Sequence, residues 1–202
     1  MSDGFLLRDT RSNTGSNASF WAYAGGYTTN LRDAEVFDRE IALRQHNSRE
    51  TDLPVPVELA FPNGRQRVDM QMLGSVEVVD GEFYVLVVQG EYDGNDCLFV
   101  GEKGNSYNLN QAIRLEAEAA CQRCTKQSNL RPYHAGEMEH IARLTIAAEL
   151  VRPDICAKVG GFKLKKPQRI TKPTYRCHGC GRFITELQNY TTCPHCEAEN
   201  RP

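Results

Sequence analysis

Cys177-His178-Gly179-Cys180 and, after a gap of twelve residues, Cys193-Pro194-His195-Cys196 stand near the C-terminal end of this 202-residue chain. Each Cys-x-x-Cys lets a tight turn aim two sulfurs at one ion. The gap is long enough for a short hairpin that carries the second pair back to the first. Four thiolates, Cys177, Cys180, Cys193 and Cys196, then complete the tetrahedron of one structural Zn2+. A closed shell leaves no position for water or substrate, so such a metal holds a fold together rather than performing chemistry.

Gly181 after the first pair and Pro194 inside the second suit knuckle turns, whose backbone N–H groups point at the sulfurs and offset their charge. The first half, Cys-x-x-Cys-Gly, resembles the knuckles of rubredoxin-like zinc ribbons. Glu197 stands where a glycine would complete the second knuckle, so that half departs from the pattern. His178 and His195 lie inside the turns as reserve ligands only.

The net charge of -2 conceals a polarity along the chain. Residues 33–102 hold fifteen acidic residues against five arginines, whereas residues 157–182 hold eight basic residues and no acid. Opposite runs in separate segments point to separate surfaces with separate partners. No apolar run approaches the twenty residues needed to span a bilayer, and the first residues lack the apolar core of a signal peptide. The expected location is therefore the cytosol, with no membrane partner. There thiols stay reduced, and Cys97 and Cys156 read as small buried hydrophobes.

Working towards the N-terminus, the segments alternate in character. Residues 1–56 read as a small strand-strand-helix module, with Phe5-Leu6-Leu7 and Phe20-Trp21-Ala22-Tyr23 as strands and Asp38 capping a helix. Residues 57–107 read as antiparallel β structure. Val76–Val79 and Phe83–Val88 would flank an Asp80-Gly81 turn as a hairpin, and a third strand would follow at Cys97–Val100. Residues 108–162 read as helical, with helices over 108–127, 136–150 and from Asp154 to Gly160. Residues 163–174 form a basic linker and residues 175–202 the ribbon. The sum is an α+β, multi-part chain.

Cys121, Cys124, His134 and His140 make a second metal arithmetically possible, but Cys121 and Cys124 at a three-residue spacing suit helix packing equally well. Lys163, Lys165, Lys166, Arg169, Lys172, Arg176 and Arg182 could neutralise phosphates, while Tyr175, Phe183 and Tyr190 could stack on bases. No Ser-His-Asp set, phosphate-binding glycine loop or His-Glu-x-x-His motif is present, so no catalytic residue is assigned and a non-enzyme is expected.

Phe20-Trp21 followed by Gly26-Tyr27-Thr28-Thr29-Asn30-Leu31-Arg32-Asp33-Ala34-Glu35-Val36-Phe37-Asp38-Arg39-Glu40-Ile41-Ala42-Leu43 is similar to a small module in accessory proteins of bacteriophages and prophages. The resemblance covers about the first quarter of the chain and implies a phage origin but no mechanism. The expected function is that of a phage accessory binding protein contacting nucleic acid or a host nucleic-acid machine. The competing expectation is an inhibitor of a host defence protein, of the anti-CRISPR or another anti-defence type, acting through the acidic surface.

Overall fold

In the computed structural model, residues 4–165 and 173–201 are described. The chain is α+β and groups into two compact units, Met1–Lys166 and Pro167–Pro202. The segments 1–56, 57–107 and 108–162 all lie within the first unit.

That unit is built from two copies of one arrangement. The first copy begins with a long strand and its hairpin partner, β1 (Gly4–Thr14) and β2 (Asn17–Trp21), followed by β3 (Tyr27–Thr28) and β4 (Val36–Asp38). It continues with α1 (Arg39–Ser48), β5 (Asp52–Pro56), α2 (Val57–Ala60), β6 (Arg65–Arg67) and a 3-10 turn at Met70–Met72. The second copy has β7 (Phe83–Asp93), β8 (Asp96–Phe99), β9 (Leu115–Glu116), α3 (Ala117–Lys126), β10 (Leu130–His134), α4 (Ala135–Ile141), β11 (Arg143–Thr145) and a 3-10 turn at Ala148–Val151. A final helix, α5 (Pro153–Gly160), closes the unit.

Register confirms the duplication. Arg8 faces Phe20 in the first hairpin as Val87 faces Phe99 in the second, and both hairpins carry an irregularity just before the turn. β5 pairs with β1 as β10 pairs with β7, placing Pro54 opposite Leu7 and Pro132 opposite Leu86. Proline lacks an N–H for the ladder, so it is tolerated on such outer strands.

The copies interlock through contacts that occur in exchanged pairs. The Ala18 N–H donates to Ile146 O and the Cys97 N–H to Val68 O, each at 2.9 Å. Likewise Met70 N donates to Asn95 O and Ala148 N to Ser16 O, each at 2.8 Å. Between them β6 and β11 pair antiparallel, with Leu144 opposite Gln66. The two hairpin turns touch at Gly15 and Gly94, both with positive φ (58° and 64°). A Cβ on Gly94 would lie 2.7 Å from the Gly15 nitrogen, so neither the conformation nor the space admits a side chain.

Each hydrophobic core is finished by the other copy. Leu6, Phe20, Leu31, Ala34 and Val55 enclose Ile146 and Val151 from the second copy, together with Cys156 of α5. Val85, Val87, Phe99, Leu109 and Ala112 enclose Val68 from the first. Cys97 and Cys156 are fully buried in these cores, and burial pushes both thiols up to about 12, which keeps them protonated as packing groups.

Three expectations from the sequence change for reasons visible in this interlock. Val76–Val79 does not form a hairpin with β7, because β7 is already flanked by β10 on one side and by β8 and β9 on the other. Instead Val76 and Val78 pack on the core under α3, and the Val79 N–H donates to Tyr84 Oη at 2.7 Å. The helix expected over 108–127 is confined to α3. Asn108 caps a 3-10 turn at Leu109–Gln111 through its side chain, and Leu115 is drawn into pairing with Tyr84. The helix expected over 136–150 stops at Ile141, because Arg143–Thr145 is needed as the strand opposite β6. By contrast β8, α1 behind Asp38, and α5 ending at Gly161 form where the sequence places them, whereas β1 runs on from the expected Phe5-Leu6-Leu7 to Thr14 and β2 starts at Asn17 and ends at Trp21, because the two pair as one long hairpin.

A buried polar network fills the crossing. Asp96, fully buried, accepts from Asn17 Nδ2 at 2.6 Å and from Arg143 Nη2 at 2.8 Å, with Arg67 Nη1 at 3.5 Å. Asn17 Oδ1 accepts from Thr145, while Arg67 also reaches Asp93 and Ser16. Removing one partner of such a group strands the others without water. Asp96→Ala is expected to lower the unfolding free energy by about 3–5 kcal/mol. The check is the urea midpoint, with the slope against denaturant retained.

Candidate metal centre

In the second unit, β12 (Tyr175–Arg176) and β13 (Phe183–Ile184) form a two-stranded hairpin around the first knuckle. A 3-10 turn at Leu187–Tyr190 leads to the second. The knuckles repeat each other bond for bond. Cys177 N donates to Arg182 O and Gly181 N to Cys177 O, each at 2.9 Å. Cys193 N donates to Ala198 O at 2.8 Å and Glu197 N to Cys193 O at 2.9 Å. One further amide in each turn points at sulfur, Gly179 N at Cys177 Sγ (3.3 Å) and His195 N at Cys193 Sγ (3.4 Å).

The four sulfurs of Cys177, Cys180, Cys193 and Cys196 lie within 4.8 Å of one another. Cys177 and Cys196 are separated by 3.6 Å and Cys180 and Cys193 by 3.8 Å. A tetrahedral zinc with Zn–S bonds of about 2.3 Å requires S···S edges of about 3.8 Å, which these two edges match. Protonation chemistry agrees. The Cys180 and Gly179 amides pull the Cys177 thiol down to about 6. The Cys196 thiol is drawn down by the Ala198 amide, yet the adjoining sulfurs of Cys177, Cys180 and Cys193 push it up to about 12. Four thiolates cannot coexist at these distances without a cation, and a divalent ion held by the four sulfurs would displace the remaining protons.

The apolar support is small: Cys177, Ile184 and Cys193 are buried, with Tyr175 and Ala198 against them. Asn200 adds what the apolar groups do not supply. Fully buried, it accepts from His178 N at 3.0 Å and donates its own N–H to Thr191 O at 3.1 Å, tying the two knuckles together. Sequence reasoning passed over it, and its position three residues beyond Glu197 carries no pattern that would single it out.

The departure at Glu197 has a geometric counterpart. Gly181 ends the first knuckle at φ 71°, and Glu197 ends the second at φ 58°, the one non-glycine residue with positive φ among the described residues. A side chain in that region crowds the backbone, at a cost of roughly 1–2 kcal/mol.

Of the basic residues, Lys166, Arg169 and Lys172 lie outside the described residues. Lys163 is exposed at the end of the first unit, whereas Lys165 is partly withdrawn, its Nζ donating to Asn47 O at 2.7 Å. Arg176 and Arg182 are exposed on the ribbon. Arg176 faces Phe183 across β12 and β13, its guanidinium carbon 4.0 Å from the ring centroid, while Phe183 remains 63% exposed. The second metal set does not assemble: among the described residues, the ribbon cysteines are the only group of three or more metal-ligating side chains within ligand distance. His134 is occupied instead with Tyr84 Oη and Glu77 O. No helix among the described residues is long and apolar enough to cross a membrane.

Comparison with protein-family models finds no match, and comparisons with curated proteins and with solved structures likewise find none.

Two outcomes test the centre. Purified protein should carry one zinc per chain, and Cys180→Ser or a strong chelator should unfold the ribbon while leaving the melting of the first unit in place, read by metal analysis and calorimetry. Glu197→Gly should tighten zinc binding by about tenfold in competition with a chromophoric chelator, because ribbon folding and metal binding are one equilibrium.

Proposed function

We propose that the protein is a zinc-ribbon binding factor, of bacteriophage accessory type and acting in the host cytosol, that contacts nucleic acid or a nucleic-acid machine. The single observation carrying this reading is the Arg176–Phe183 pair: an arginine laid over an aromatic ring that remains largely exposed. Burying an aromatic ring is favourable, so a small module that leaves Phe183, Leu187 and Tyr190 outside has apolar surface to offer a partner. Aromatic faces beside guanidinium groups suit the stacked bases and phosphates of single strands. The excess of basic residues over 157–182 supplies the charge. The zinc, in this reading, only shapes the module.

A second reading, inhibition of a host defence protein through the acidic segment, is favoured by a narrower observation. Of the fifteen acids in residues 33–102, Asp52, Asp93 and Asp96 are consumed by Arg49, Arg67 and Arg143 within the fold, and Asp69 pairs with Arg143. Glu77, Asp80 and Glu82 remain exposed beside Val79 and Phe83, which are 52% and 53% exposed. Acidic groups around exposed apolar side chains suit a basic site on another protein.

The decisive experiment is a salt titration of single-stranded DNA and RNA binding by fluorescence anisotropy. Four to six phosphate contacts would give a slope of log affinity against log salt of roughly -3 to -4. Phe183→Ala should cost about 1–3 kcal/mol with the slope kept. Replacing Lys163, Lys165, Lys166 and Arg169 by glutamate should reduce both. Undetectable binding at low salt, together with a nuclease-resistant host protein retained by the chain, would move the assignment to the second reading.

A further inference from the structure

The two copies of the repeat differ at one corner, where the end of the long helix meets the long strand. In the first copy that corner is packed solid. Asp9 on β1 lies opposite Asp52 on β5, and each carboxylate holds an arginine, Arg11 and Arg49. The Arg49 guanidinium lies over the Trp21 ring, 5.5 Å from its centroid, and Arg11 Nη2 donates to Tyr27 Oη at 3.1 Å. Aromatic rings and paired charges together plug the space beside the end of α1.

The second copy keeps the backbone and loses the plug. Register places Val88 opposite Leu130 where Asp9 faces Asp52. Val100 follows Phe99 as Trp21 follows Phe20, and Gln127 ends α3 as Arg49 ends α1. Asn105 precedes the partner of Phe99 as Tyr27 precedes the partner of Phe20. What is left is a cavity of about 540 Å3, within the range of small-molecule sites of roughly 300–1,000 Å3. Val88, Val100 and Leu130 form its apolar floor, while Arg123 and Lys126, in the last turn of α3, stand exposed on its rim with Glu91. Neither Arg123 nor Lys126 is paired with a carboxylate among the described residues.

We propose that this cavity is a nucleotide site, the base taking the place that the Trp21 ring fills in the first copy and the phosphate lying against Arg123 and Lys126. The first copy shows that the corner accepts a flat ring with a guanidinium beside it. In the second, the apolar floor suits the face of a base, and two unpaired cations suit a phosphate. Glu91, the one carboxylate on the wall, is placed to accept from the N–H groups of a base edge. An aliphatic carboxylate would leave the floor uncovered, and an uncharged ring would leave both cations unused. The same chemistry is offered by a free nucleotide and by the phosphorylated end of a single strand. The site lies wholly in the first unit, so it stands or falls apart from the contacts of the ribbon.

Calorimetric titration of the full-length, zinc-loaded protein tests it, with the 5′-monophosphates of adenosine, guanosine, cytidine and uridine, the bare nucleosides and inorganic phosphate as probes. At least one monophosphate should bind one per chain, with its nucleoside and inorganic phosphate weaker by about tenfold or more. Arg123→Ala with Lys126→Ala should weaken the monophosphate by a similar factor, whereas Arg44→Ala, an exposed arginine on α1, should leave it unchanged. Val100→Trp, which restores the ring of the first copy, should abolish binding; if that variant fails to fold, the exposed Arg123 and Lys126 pair decides alone. Competition by a short 5′-phosphorylated oligonucleotide would assign a strand end as the source and its failure a free nucleotide, and either upholds the site. No monophosphate binding at millimolar concentration, inorganic phosphate binding as tightly, or binding that survives the Arg123 and Lys126 substitutions but is lost with Phe183→Ala would each overturn the proposal.

Discussion

A fully buried carboxylate, Asp96, is shared by groups from both copies of the repeat, and the first unit is organised around that fact. A lone charge in such a place would be prohibitively costly, so Asn17, Arg67 and Arg143 must arrive together. Asn17 belongs to the first hairpin, Arg67 to β6 and Arg143 to β11. Their simultaneous arrival fixes the hairpin turns against each other at Gly15 and Gly94, and it sets the register of β6 on β11. Hydrophobic burial supplies the bulk of the stability, but it is indifferent to small sliding motions. The polar crossing is not, because each hydrogen bond has one distance and direction.

The sequence made some of this legible. Local signals sufficed where one element decides its own conformation: the Asp93-Gly94-Asn95-Asp96 turn before β8, Gly161 after α5, and the cysteine spacing of the ribbon, whereas Asp38 stands at the start of α1 without making the side-chain cap bond expected of it. They failed where a distant strand competes for the same backbone. Residues 136–150 have a helical pattern, yet Arg143–Thr145 is worth more as a partner to β6 than as another turn of helix. The duplication itself was present in the sequence and was missed. Asn30-Leu31-x-x-Ala34 matches Asn108-Leu109-x-x-Ala112, Gly15 and Phe20 match Gly94 and Phe99, and Pro54 matches Pro132. Such matches are sparse because each position answers only to its own packing neighbours, and most surface positions have diverged.

The ribbon presents the opposite case. Almost all of its architecture follows from four cysteines and the amides that point at them, so the reading from spacing alone carries over to the geometry. What spacing does not reveal is the asymmetry between the knuckles: glycine relaxes one, and a glutamate in an unfavourable conformation closes the other. Nor does spacing reveal Asn200, whose side chain replaces a hydrophobic core too small to bind the turns by itself.

The interlock also bears on how such a chain can change over generations. Because each copy completes the other's core, neither can be deleted and neither can drift in its inward-facing residues without a compensating change across the crossing. The segment between them, from Leu73 to Glu82, carries a lighter obligation: Leu73, Val76 and Val78 pack inward and Val79 bonds Tyr84, but Gly74, Ser75, Glu77, Asp80, Gly81 and Glu82 stay exposed. It is there, and not in the strands, that insertions, altered charge and new recognition surfaces can accumulate at little cost to the fold. The duplicated body thus acts as a conservative frame with one liberal seam.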